Sequence, residues 1–399
     1  MRNASEISQA IKLGNLFHRQ VMEYDQKKHS LPRNDVIASL NLEVAKLASS
    51  YSPGFCASIE FGDVHAKMKR HWHTELAYVT LRGFNCRLLF AEKLLTSTDP
   101  NAGLNFSAKI WVLLLVLAEA RGIDPALQGE FVFEIGDNAS LGEVGFNSRH
   151  PDACLIIDPD FASSDGYFAY RNTCATQMVP WEQREPKIFW RGSTTGRRVY
   201  PPPADGEPDD LTWLDRLALC IACAKPELNK ICDVGIAQLA QIPEPNLRER
   251  ISAAGLIKDG VPRQQFMRYR GAFDIDGNAN AWSGLFSSML GASCILKIAS
   301  REGYRQWYYD RLKPWEHYIP VKTDLSDLAD RVNWFAAHES EAKIIAQRAR
   351  ELAVAIDTPS GFRDSANNLI RFLQRRAQSG PGTIVSAVSA SGAKTIKQR

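Results

Sequence analysis

Apolar side chains recur at helical spacing at Ile7, Ile11, Phe17 and Val21, with Leu16 beside them, so residues 5–24 read as an amphipathic helix that Ser5 can cap. A second amphipathic helix follows over 35–49, and 55–60 reads as a short strand. Over 75–92 two apolar runs flank Gly83-Phe84-Asn85, the pattern of a hairpin. The run 106–121 is a strongly apolar helix closed by Gly122, and 131–135 and 154–157 are compact strands. The Pro-bounded stretch 178–186 is the best place to divide the chain, giving domains 1–178 and 179–377. Beyond it, 187–190 is a strand, and 211–224 is a helix that Asp210 can cap. The stretch 274–327 is the most informative: loop, helix, turn, buried strand, aromatic-rich loop, strand and capped helix. Helices are expected over 342–356 and 362–376, the latter basic on its polar side. Residues 378–399 are rich in Ser, Gly and Ala, carry no core pattern and are expected to be disordered. Strands alternating with helices make the fold class α/β.

Composition narrows the function classes. The 399 residues are 45% hydrophobic, and 48 basic residues face 45 acidic ones for a net charge of +3. That balance does not point to nucleic acid, which a strongly basic domain would. The longest apolar run, 110–118, falls short of the roughly 20 residues a bilayer span needs. With no apolar leader after Arg2, the eight cysteines read as reduced thiols and the chain as cytoplasmic.

Candidate chemistry sits mainly at strand ends. Asp137, Asp158 and Asp160 each follow a strand, where ligands bind in open α/β sheets; turn formation and helix capping are the other reading of each. The strand 187–190 runs into Arg191-Gly192-Ser193-Thr194-Thr195-Gly196-Arg197-Arg198, a loop whose glycines and arginines suit an anion but lack Walker A spacing. His71 and His73 would share a strand face and suit a metal or a solvated basic edge, with no matching carboxylate nearby. Cys220 and Cys223, inside a helix near Cys232, read as core thiols.

Three segments together resemble glycosyltransferase family 90. They are Phe189-Trp190-Arg191-Gly192-Ser193-Thr194; Asp276-Gly277 through Trp282-Ser283 to Gly291-Ala292-Ser293; and Trp307-Tyr308-Tyr309 through Leu312-Lys313-Pro314-Trp315-Glu316-His317-Tyr318-Ile319-Pro320-Val321 to Asp324-Leu325-Ser326-Asp327. The family includes protein O-glucosyltransferases, capsule-associated xylosyltransferases and lipopolysaccharide core glycosyltransferases. The resemblance implies a GT-B fold, two Rossmann-like domains facing across a cleft, with the donor in the C-terminal domain. It implies metal-free, inverting transfer from a UDP-sugar to a saccharide or lipid-linked glycan acceptor, with lipopolysaccharide favoured by the missing leader. A protein O-glucosyl- or xylosyltransferase, or a sugar-nucleotide-binding protein without catalysis, is the alternative. It places the base at Asp137 and donor contacts at Arg191, Gly192, Ser193, Thr194, Trp282, Ser283, Ser293, Lys297, His317 and Tyr318. Ser283 departs from the arginine that the protein O-glucosyltransferases carry there; Lys297 can supply the charge or be a strand-edge lysine. A buried aromatic corner is the other reading of Trp315 and Tyr318. The basic C-terminal helix adds an expected peripheral contact with anionic lipid at the inner face of the membrane.

Overall fold

In the computed structural model, which describes residues 2–27, 32–64, 76–96, 106–137, 139–196 and 211–378, the N-terminal apolar stripe forms helix α1 (Ala4–Lys27). Asn3, rather than Ser5, closes its start. The Asn3 side chain accepts from Glu6 N at 3.0 Å, and Glu6 Oε2 accepts from Asn3 N at 2.7 Å, a reciprocal capping box. Helix α2 (Arg33–Tyr51) leads to β1 (Cys56–Gly62). The expected hairpin forms as β2 (Leu76–Arg82) and β3 (Asn85–Ala91), paired antiparallel from Ala77–Phe90 to Arg82–Asn85. Helix α3 (Ser107–Ile123) is apolar all round, so it is buried on every side. It runs through Gly122 and ends at Asp124, whose N–H reaches Ala120 O at 2.8 Å.

The first sheet adds β4 (Gly129–Glu134), β5 (Val144–Gly145) and, past the two-residue β6 (Asn147–Ser148), β7 (Cys154–Leu155). Its order is β1-β3-β2-β4-β5-β7, and the β3–β2 and β2–β4 pairings are antiparallel. The N-terminal sheet is therefore mixed, unlike the wholly parallel sheet of a Rossmann-like unit. Short helices α4 (Pro159–Ser163) and α5 (Phe168–Gln177) follow.

The second sheet is wholly parallel. Strand β8 (Glu185–Ser193), helix α6 (Asp215–Ala224), β9 (Cys232–Gln238), β10 (Tyr269–Asp274), helix α7 (Ser283–Leu290) and β11 (Cys294–Ile298) build it in turn. After the short β12 (Arg305–Gln306) comes β13 (Ile319–Val321), and the order is β13-β11-β10-β8-β9. Counted along the chain this is 2-1-3-4-5, a doubly wound order whose switch point lies between β8 and β10. Ile188, Phe189 and Trp190 of the interior strand β8 are all buried, as a strand covered on both faces requires.

Helices α8 (Leu328–Ala337), α9 (Glu339–Ala355) and α10 (Thr358–Gln378) end the described chain. Helix α8 covers the second core, while α10 returns to the first half and packs on α3. Phe362, Leu369 and Leu373 of α10 join the core formed by α1, α3 and the first sheet. Gly361 permits this approach, since a Cβ there would lie 2.8 Å from Ile157 Cδ1. Arg376, expected on a free basic face, is bound to both oxygens of Glu143 at 2.7 Å. The two halves also join where β12 pairs antiparallel with β6. His71, His73, Arg197, Arg198, Asp210 and the Ser/Gly/Ala-rich tail beyond residue 378 lie outside the described residues.

Candidate active site

The carboxyl end of β4 presents Asp137 on a tethered loop. Glu134, buried at the end of the strand, accepts from Ser140 N at 2.7 Å and from Leu141 N at 3.1 Å. Burial raises the Glu134 pKa above the ordinary range, and those two N–H groups oppose the shift. From α3, Lys109 donates to Ile135 O at 2.6 Å, which leaves its ammonium 3.8 Å from Asp137 Oδ1. The Asp137 carboxylate itself is 42% exposed, with room for an incoming group.

Two further strand-end carboxylates divide between the two readings. Asp158 caps α4: its Oδ1 accepts from Phe161 N at 2.9 Å and its Oδ2 from Trp307 Nε1 at 3.0 Å. It is fully committed, and burial pushes its pKa up to about 6. Asp160 lies in the neighbourhood of Asp137. Burial first and the Asp137 charge second raise its pKa, while Lys109 and Arg263 pull it down. Arg263 comes from the other half of the chain. Arg263 Nη1 donates to Ser283 O at 3.0 Å, at the first residue of α7. Just before it, Trp282 adopts φ +47°, a region that bulky residues rarely enter.

The second focus is the switch point between β8 and β10. Arg216 of α6, buried, donates to Ser193 O at 3.0 Å, Thr195 Oγ1 at 2.7 Å and Asp276 O at 2.9 Å. It thereby ties the loop after β8 to the loop after β10. Burial lowers its pKa to about 10, with Asp276 and Asp274 acting against the shift. Thr194 is wholly buried and locks its loop to the end of β9, donating to Ala240 O at 2.7 Å and accepting from Ala240 N at 2.8 Å. Ser193 Oγ lies 3.1 Å from Thr195 Oγ1. Gly192 is required by packing, because a Cβ there would lie 2.4 Å from the Trp190 ring. Thr195, Gly196, Arg216, Asp276, Gly277 and Tyr304 line a pocket at these strand ends.

Other candidate residues are placed differently. The Arg191 guanidinium is bound to Asp233 Oδ1 at 2.8 Å and packs 4.6 Å from the Phe189 ring centroid, so its charge is neutralised by β9. Lys297 is spent on Asp274 Oδ2 at 2.6 Å in a buried pair. Burial opposes its charge, but Asp274 and then Asp276 outweigh that and hold its pKa above the ordinary range. Ser293 is buried at the amino end of β11, the opposite edge from Lys297, with its N–H on Ser288 O at 3.1 Å. His317 folds onto its own loop, where Nδ1 accepts from Lys313 N at 3.0 Å; burial lowers its pKa. Tyr318 is half-buried against the first core, and Trp315 meets the Trp334 ring edge-on at 5.0 Å. Asp137 thus lies just past β4, Trp282 and Ser283 at the start of α7 and Gly192–Thr194 at the end of β8, while Arg191, Ser293, Lys297 and His317 are held in supporting contacts.

Arg216, Arg263 and Glu134 were not singled out by sequence reasoning. A lone arginine in the apolar run of α6 was a usable signal for Arg216. Arg263 had none, since it lies in a polar 3₁₀ turn (Arg263–Arg268) like many others.

Residues 236–355 match the sequence model of Glycosyl transferase family 90. A protein called 035R of Invertebrate iridescent virus 3 is 37% identical over 223 residues, 51% of this chain and 18% of that protein. Human Protein O-glucosyltransferase 3 is 38% identical over 88 residues, 22% of this chain and 17% of that protein. The O-glucosyltransferase rumi homolog of Anopheles gambiae is 27% identical over 186 residues, 46% of this chain and 40% of that protein. The matches therefore span less than half the length of each of these relatives. The matched segment runs from the end of β9 to the end of α9, taking in β10, α7, β11 and β13 with the loops at their ends, and over it the chain resembles Glycosyl transferase family 90.

Proposed function

We propose that the chain transfers a sugar from a UDP-sugar to an acceptor hydroxyl, with inversion at the anomeric carbon, across a GT-B-type cleft between its two halves. The observation that carries the reading is Asp137, an exposed carboxylate on a braced loop just past β4, with the Lys109 ammonium 3.8 Å from its Oδ1. In the proposed step Asp137 accepts the acceptor hydroxyl proton as that oxygen bonds the anomeric carbon. The bond from that carbon to the diphosphate breaks, and UDP leaves with the electron pair. Backbone N–H groups at the start of α7 and nearby arginine meet the departing charge, so the reading includes no metal cofactor.

For the acceptor, a hydroxyl on a protein is better supported than a saccharide, because relatives named protein O-glucosyltransferases align with the chain. A panel of UDP-sugars, assayed for UDP release with protein and with glycan acceptors, separates the two and identifies the sugar. Release with no sugar in the panel would sink the catalytic reading. Asp137→Asn is expected to lower turnover by roughly 10²- to 10⁴-fold. Its thermal midpoint and UDP affinity should stay near wild type, because among the described residues Asp137 makes only the 3.8 Å contact with Lys109. Retained turnover in the Asn variant would remove Asp137 from the role.

A further inference from the structure

A departing diphosphate calls for a cation with donors to spare at the donor end of the cleft, and the structure narrows the choice. Arg191 is paired with Asp233, which Lys258 also holds at 2.8 Å. Lys297 is paired with Asp274. Arg216 spends its donors on the loops it joins. Ser283 carries no charge and contributes its carbonyl to Arg263.

Arg263 differs from all three cations. Among the described residues no carboxylate is paired with it, and its hydrogen bond is the one from Nη1 to Ser283 O at 3.0 Å. A guanidinium has five N–H donors, so most of its fork stays available. It is half-buried, with the Phe266 ring centroid 6.0 Å away. Its field reaches Asp160, Tyr167 and Tyr170, all in the first half of the chain. Ser283 opens α7, whose Phe286 ring meets Phe161 of the first half at 5.0 Å, so the cation stands at the start of α7 beside that packing.

We propose that Arg263 binds the diphosphate of the sugar-nucleotide donor, supplying from the 263–268 turn the positive charge that Ser283 lacks. The inference rests on the reading that the chain uses a UDP-sugar. A planar fork anchored on one carbonyl can offer its remaining donors to two phosphate oxygens, which an ammonium cannot match.

Calorimetric titration with UDP and with uridine tests it. The wild-type chain should bind UDP more tightly than uridine. Arg263→Gln should weaken UDP by roughly 10- to 100-fold, the range of a charge-assisted hydrogen bond, and leave uridine unchanged. Arg263→Lys should recover part of the loss, because the charge returns without the fork. Wild-type UDP affinity in Arg263→Gln would overturn the assignment while leaving the UDP-sugar reading intact. An equal loss for UDP and uridine would also overturn it, by showing that Arg263 only braces α7. A wild-type chain that bound no UDP would overturn both.

Discussion

Asp276 and Asp158 give the molecule a pH signature at the level of single side chains. Burial is the main cause in each, and it pushes both carboxyls up to about 6 from an ordinary 3.8. The folded chain therefore holds these protons more tightly than the unfolded chain does. Their contribution to stability is full below about pH 4 and is lost as pH rises through about 6. Asp276→Asn removes one such group. Its urea midpoint, compared with wild type from pH 4 to 7, should move in the variant's favour as pH rises; a difference constant with pH would place the effect elsewhere. At this scale the sequence was legible where position along a strand decides, as in placing Asp137 just past β4. It was not legible where a charge depends on a neighbour. Arg191 and Lys297 look alike as strand cations, but Asp233 of β9 and Asp274 of β10 neutralise them across the sheet.

Among elements, β8 and its loop do most to shape the switch point of the second sheet. Thr194 bridges that loop to the end of β9 through one hydroxyl that both donates and accepts. Thr194→Val keeps the shape but leaves the Ala240 N–H and C=O without that partner, at a cost of about 1–3 kcal/mol. Thermal unfolding should show the midpoint fall, and donor affinity should fall with it because Ser193 and Thr195 adjoin the latch. An unchanged midpoint would mean that Thr194 is not the tie. The period-two and helical patterns placed the β2–β3 hairpin, α1 and β8 close to their observed positions. Caps were harder: Asn3 replaced Ser5, and α3 ran through Gly122, because a cap depends on which side chain reaches the free N–H or C=O groups.

Across the whole molecule, α10 decides whether the first half is covered. It returns from the second half and buries Phe362, Ala366, Leu369, Ile370 and Leu373 against α3 and its surroundings. A chain ending at residue 357 should expose the apolar α3 and self-associate, seen as an early or void peak in size-exclusion chromatography. A monomer with wild-type near-ultraviolet dichroism would contradict that. The return of a basic amphipathic helix was open in the sequence, since the same pattern suits a lipid surface. The Glu143–Arg376 pair and the Ser365 hydroxyl on Ile157 N at 2.8 Å seat it on the first half.

Taken alone, the sequence determined the α/β class, most regular elements and the family motifs around Asp276, Trp282 and the run 312–321, because periodicity and motif spacing are local properties of a chain. The tertiary structure decided that the first sheet is mixed, that the second has its switch point between β8 and β10, and that Arg263 retains donors beside Ser283. Those outcomes depend on which strands lie side by side and which carboxylate reaches each cation, and residues far apart in the chain set both.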